Sequence, residues 1–140
     1  MSMTSINLRD LGRGALTSGA VAARQSSSAG LRRILPEAAG TVVEIGTGSG
    51  ADWPHYDARK VERVIRLESV RNRATIARNG HLPLSFPVEV IASRVDRIPL
   101  EAGSADTVVS AHAMSSVTCL VAALAEVRRV LRPMGRLLFL

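Results

Sequence analysis

The sequence predicts one α/β domain built on a mostly parallel sheet. Three observations carry that reading. Short β-branched runs alternate with longer segments of helical spacing over residues 29–140. The first such run, "VVEI", passes straight into "GTGSG", a glycine turn of the kind that parallel-sheet proteins set between a strand and the next helix. With 140 residues, 46% of them hydrophobic and 3% aromatic, the chain can fill one core, made chiefly of Val, Leu, Ile and Ala.

Residues 1–28 read as a flexible or weakly helical leader, because Gly12, Gly14 and Gly19 interrupt any helix there. Their acid-poor, Ser- and Arg-rich composition is also that of an organellar transit peptide. "AGLRRIL" before Pro36 reads as a helix and "TVVEI" (41–45) as the first buried strand. "GADWPHYD" is the irregular opening of the next helical segment. "RVIRL" (63–67) is the second strand, "VRNRATIARNG" a helix closed by Gly80, and "VEVIA" (88–92) the third strand after a turn set by Pro83 and Pro87. "DTVVS" (106–110) is the fourth. Over residues 118–131 the spacing sets Leu120, Leu124, Val127 and Leu131 on one helical face, and Pro133 and Gly135 end that helix. "RLLFL" (136–140) is the fifth strand.

The formal charge of +6 comes from scattered arginines, with Lys60 the only lysine, and no nucleic-acid motif accompanies them, so a nucleic-acid partner is not favoured. The lone Cys119, expected as a small apolar residue on a helix, excludes an internal disulfide and a multi-cysteine metal site. It fits a reducing compartment, and the chain is expected to be cytoplasmic. No stretch reaches the ~18 continuous apolar residues of a membrane span.

The glycine turn lets a backbone approach a ligand closely, since no Cβ intrudes. The helix expected after it would favour an anionic group, either a dinucleotide pyrophosphate or the carboxylate of an amino-acid-bearing cofactor. Spacing leaves both open: Gly46, Gly48 and Ala51 satisfy G-x-G-x-x-A, while Gly46, Gly48 and Gly50 satisfy G-x-G-x-G. Glu68, closing the second strand, could bridge ribose hydroxyls in either case.

The surrounding motifs separate the two. "VVEIGTGSG", "RLES", "DRIPLEAGSADTVVS" and "LAEVRRVLRPMGRLLFL" together resemble the class I S-adenosylmethionine-dependent methyltransferases, specifically the type 11 branch with the ubiquinone/menaquinone and thiol methyltransferase-like proteins. The resemblance runs over residues 41–140. It implies a Rossmann-like sheet in the order 3-2-1-4-5, with S-adenosyl-L-methionine as cofactor. It also implies that Glu44, Gly46, Thr47, Gly48 and Gly50 lie against the cofactor's amino-acid part and that Glu68 holds the ribose. After the third strand the family carries Gly-Asp-Ala-Glu; here Ser93, Arg94, Val95 and Asp96 stand there. Val95 is then expected to offer its amide to adenine, with Asp96 compensating for Arg94, whose guanidinium only donates. His112, after the fourth strand, is the candidate base for a small-molecule or lipid-like acceptor. Met134 replaces the glycine of the family's Pro-Gly-Gly turn.

The class I fold continues past its fifth strand with an antiparallel pair, and the sequence resembles it only as far as that strand. The expectation is therefore a C-terminally incomplete domain over residues 29–140, lacking the usual last two strands. Its fifth strand would be left at an edge and need cover from a partner or a second copy. The function expected is methyl transfer, the alternative being a non-catalytic cofactor-binding remnant or interaction module.

Overall fold

The computed structural model describes residues 4–7, 28–46, 50–69, 83–111 and 113–140 of the 140-residue chain. In chain order the regular elements are β1 (Thr4–Asn7), α1 (Ser28–Ile34), β2 (Gly40–Gly46), β3 (Val61–Glu68), β4 (Val88–Ala92), β5 (Ala105–Ala111), α2 (Leu120–Val130) and β6 (Leu131–Phe139). The six strands form one sheet in the order β1-β6-β5-β2-β3-β4. All neighbours from β2 to β6 pair in parallel. Counted among themselves, these five run 3-2-1-4-5, the expected order.

β2 is central because its side chains suit burial on both faces. It pairs with β3 on one side, Val43 opposite Ile65, and with β5 on the other, Val43 opposite Val108. Val42 and Val43 are both fully buried, one in each of two apolar layers. One layer gathers Ile34, Leu35, Val42, Trp53, Val64 and Leu138 beneath α1. The other gathers Val43, Ile65, Val108, Val127, Val130 and Leu137 beneath α2.

α2 begins and ends close to where its periodicity predicts, but its buried stripe is Ala123, Val127 and Val130. Leu120, expected in that stripe, is 47% exposed. The helix stops at Val130 and Leu131 turns extended into β6, so the apolar face is set by the helix body and not by Leu131. Glu126 and Arg129 strap the loop between β4 and β5 to this helix. Glu126 Oε2 accepts the Ile98 amide at 2.8 Å, while Arg129 donates to the carbonyls of Leu100 and Ile98 at 2.7 and 2.8 Å. Cys119 is exposed at the N-cap position, not on the helix.

Two expectations need correction. Among the described residues between β2 and β3 there is no α-helix, only a short 3-10 turn at Trp53–His55. Nor is the outer edge of β6 open: β1 pairs antiparallel with it, Thr4 opposite Phe139 and Asn7 opposite Arg136. The helix expected over residues 70–80 lies outside the described residues. No helix among those described is long and apolar enough to cross a membrane.

Met134 is the one described non-glycine residue with positive φ, at 72°. A Cβ in that left-handed region costs about 1–2 kcal/mol. Because Met134 is also exposed, little packing is lost on its removal, and Met134→Gly is expected to raise stability by about 1 kcal/mol in urea unfolding. An unchanged midpoint would mean the turn is unstrained.

Candidate functional site

Parallel α/β sheets bind ligands beyond the carboxyl ends of their strands. At that end of β2 and β3 the register sets Glu44 opposite Arg66. Side chains two apart on a strand share a face, so Glu68 joins them. Arg66 has no exposed surface. Its Nη1 donates to Glu44 Oε1 at 3.2 Å and its Nη2 to Glu68 Oε2 at 3.2 Å. Glu68 Oε1 accepts the Ser69 amide at 3.2 Å, which orients the carboxylate about its second oxygen.

The segment after the glycine loop closes over Glu44. Trp53 Nε1 donates to Glu44 Oε2 at 2.9 Å and the Tyr56 hydroxyl reaches the same oxygen at 3.4 Å. The Arg66 guanidinium lies 5.7 Å from the centre of the Trp53 ring, within cation–π range. Tyr56 in turn meets Phe86 edge to face at 5.9 Å. Burial pushes the Glu44 carboxyl above its ordinary range, against the pull of the Arg66 charge and of the Trp53 and Tyr56 hydrogen bonds. Burial, reinforced by the Glu44 charge, raises the Tyr56 hydroxyl well above its ordinary value.

The two described glycines of the loop have different reasons to be glycine. Gly50 has φ 82° and a Cβ there would stand 2.9 Å from the Trp53 ring, so the protein's own packing requires it. At Gly46 a Cβ would meet Glu44 Oε1 at 3.4 Å, an ordinary contact, and packing alone does not demand glycine. Gly46 thus ends β2 against the Glu44 carboxylate and the Arg66 guanidinium. Ser110, buried near the carboxyl end of β5, has an Oγ with no hydrogen-bond partner among the described residues.

The structure thus brings Glu44, Gly46 and Glu68 together, with Gly50 on the far side of the loop. Thr47, Gly48 and His112 lie outside the described residues. Beyond β4, Ser93 donates its amide to the Glu68 carbonyl at 3.0 Å, which ties this loop to the site. Within it Arg94 Nε donates to Asp96 Oδ1 at 2.8 Å, and that hydrogen bond holds the Asp96 carboxyl below its ordinary range. The Asp96 carboxylate is therefore engaged by Arg94 inside the loop. Val95 packs its side chain on the apolar layer beneath α2. Arg66, Trp53 and Tyr56 are the site residues that carry most of its geometry beyond the expected acids. The sequence signal for Arg66 is an arginine two residues before Glu68 within a strand; its place opposite Glu44 is seen in the register.

A family profile of the methyltransferase domain matches residues 43–139, and the chain belongs to that family. Among solved structures it resembles the YcgJ protein of Bacillus subtilis, with 20% identity and TM-score 0.68 over 78% of this chain and 48% of that one. A complex of the Trm112 methyltransferase activator with a methyltransferase from Haloferax volcanii matches at 26% identity and TM-score 0.61, over 75% of this chain and 46% of that one. The methyltransferase CalH, complexed with SAH, matches at 25% identity and TM-score 0.59, over 78% of this chain and 33% of that one. The chain spans about half the length of the first of these, or less. No curated protein matches it.

Trp53 is the only tryptophan and its indole donates to Glu44, so its emission reports that carboxylate. The native titration is expected to show a midpoint above the ordinary Glu value of 4.5, and Glu44→Gln to remove it. A carboxyl raised on folding contributes stability below its unfolded value and loses it as pH rises through the folded one. A midpoint at or below 4.5 would contradict the burial argument.

Proposed function

We propose that this chain is the cofactor-binding part of an S-adenosyl-L-methionine-dependent methyltransferase, carried by residues 29–140 and acting on a small-molecule or lipid-like acceptor. The observation that carries the reading is the pair of carboxylates Glu44 and Glu68, flanking Gly46 at the carboxyl ends of adjacent strands in a sheet of the methyltransferase-domain family. Glu68 would hold the two ribose hydroxyls. The backbone of Gly46, Thr47, Gly48 and Gly50 would line the methionine end. Glu44, both of whose oxygens already accept hydrogen bonds from Arg66, Trp53 and Tyr56, would act mainly by holding those groups in place.

When bound, the sulfonium cofactor supplies a methyl group already activated for displacement. The protein's part is then chiefly alignment, which by itself can lower a barrier by several kcal/mol. Val95 would offer its backbone amide to the adenine ring. Asp96, held by Arg94, would serve that ring less well, and His112 would take the proton of an acceptor thiol or hydroxyl.

A second reading, a cofactor-binding module without catalysis, is favoured by one observation. The Arg94–Asp96 pair occupies the loop's acidic side chain, where the family supplies an acceptor to the adenine amino group.

Calorimetric titration with S-adenosylhomocysteine tests what both readings share, and micromolar binding is expected. Absence of binding by well-folded protein would remove them. Glu68→Ala should weaken binding by about 1–3 kcal/mol if its bonds to the ribose are made; an unchanged affinity would withdraw that role. Transfer of a labelled methyl group to a thiol or hydroxyl acceptor, lost in His112→Ala, separates the enzyme from the module.

A further inference from the structure

The cofactor reading explains two acids, but not the arginine locked between them. Arg66 is fully buried in a strand whose neighbours Ile65 and Leu67 are apolar. Desolvating a guanidinium there is unfavourable by several kcal/mol unless its charge is met. Among the described residues it is met from β2 by Glu44 and along β3 by Glu68, at 3.2 Å in both cases. Nε adds a longer contact of 3.4 Å to Glu68 Oε2, so the guanidinium faces that oxygen edge-on. A planar fork can span two carboxylates in this way, whereas an ammonium is a single point of charge.

We propose that Arg66 is a positioning residue for the nucleoside end of the cofactor, clamping Glu44 and Glu68 together and fixing the Glu68 carboxylate where the ribose hydroxyls meet it. The proposal rests on the methyltransferase reading above. Removing the guanidinium would leave two carboxylates close together on one buried face, and like charges so placed do not both ionise. The Glu44 carboxyl, already raised by burial, would rise further without the Arg66 charge, and a proton held within the pair leaves a diol fewer acceptor positions than two carboxylates do. The other titratable groups bearing on the pair, among the described residues, are Tyr56 and Asp52. Tyr56 stays neutral across this range, since its hydroxyl is raised well above its ordinary value. Asp52 bears on Glu44 as a like charge and works in the same direction as the missing guanidinium. Arg66 therefore makes ribose binding insensitive to pH over a range in which the bare acid pair would titrate.

The test compares wild type, Arg66→Lys, Arg66→Gln and the double variant Glu44→Gln/Arg66→Gln, each checked for cooperative unfolding. S-adenosylhomocysteine affinity is measured by calorimetry at about pH 6 and about pH 8, values that bracket a raised carboxyl. Wild type is expected to bind equally at both. Arg66→Gln should bind about tenfold more weakly at the lower pH and recover most of that loss at the higher. Arg66→Lys should fall between the two, and the double variant, which removes the like charge together with its partner, should return to a flat profile. If Arg66→Gln does not fold, Arg66→Lys and the double variant carry the comparison. A flat profile in whichever single variants fold overturns the proposal, even where affinity has dropped uniformly, because a merely structural role predicts that result. Folded wild-type protein that binds no S-adenosylhomocysteine overturns the cofactor reading and the ribose role with it. In that case the pH titration of Trp53 emission in ligand-free protein still reports the clamp: an upward shift of its midpoint in Arg66→Lys supports carboxylate coupling, and an unmoved midpoint removes it.

Discussion

A buried charge governs the carboxyl end of this sheet. Arg66 has no contact with solvent, and the pairing of β2 with β3 sets Glu44 opposite it, to join Glu68 of its own strand. A slip of one residue would turn Arg66 into the apolar layer of Ile65, Leu67 and Val108, away from the Glu44 carboxylate. The apolar residues alone specify this register weakly, because Val42 and Val43 are both buried and either could serve either layer. The ion network removes that ambiguity. It also draws in the next segment: Glu44, pushed toward its neutral form by burial, is kept a useful acceptor by the Trp53 and Tyr56 donors, so the chain after the glycine loop folds back over the strand ends.

That folding back changes how the loop can recognise a ligand. A helix N-terminus would have added its dipole to the exposed amides. Among the described residues of this segment there is a 3-10 turn at Trp53–His55 in place of that helix. Trp53 packs against Gly50, which has positive φ and where a Cβ would stand 2.9 Å from the ring. The two described glycines of the loop therefore differ: Gly50 serves the protein's own packing, whereas packing alone does not demand glycine at Gly46.

What the sequence revealed and what it hid follow from the same physics. The parallel strands were legible because burial on both faces leaves runs such as "TVVEI" and "DTVVS", which no helix or surface strand would carry. Glu44 and Glu68 were legible as strand-end acids next to a glycine loop. Arg66 was not, because an arginine inside "RVIRL" reads as an ordinary strand residue, and only the register shows that Glu44 lies across from it, on the same face as Glu68. The face of α2 was misjudged at Leu120 because periodicity cannot tell which leucines of a long apolar stripe lie beyond the end of the layer beneath. β1 was invisible for another reason: its pairing with β6 is made by backbone groups, and "TSIN" has no apolar pattern to announce it.

The same distinction explains how this domain can vary at one edge and keep its site. β6 buries Leu137 and Leu138 in opposite layers, so its backbone must be hydrogen-bonded on its outer side as well as to β5. Any extended segment can satisfy that need, since ladder bonds ask little of side chains, and here residues 4–7 do so in antiparallel sense. The site makes the opposite demand: Glu44, Arg66 and Glu68 must keep their chemical identity and their register at once. Two strands, β5 and β2, separate β6 from β3. A change in what covers β6 therefore acts on backbone pairing far from the acid clamp, whereas a change at Arg66 acts on the clamp directly and leaves the edge as it was.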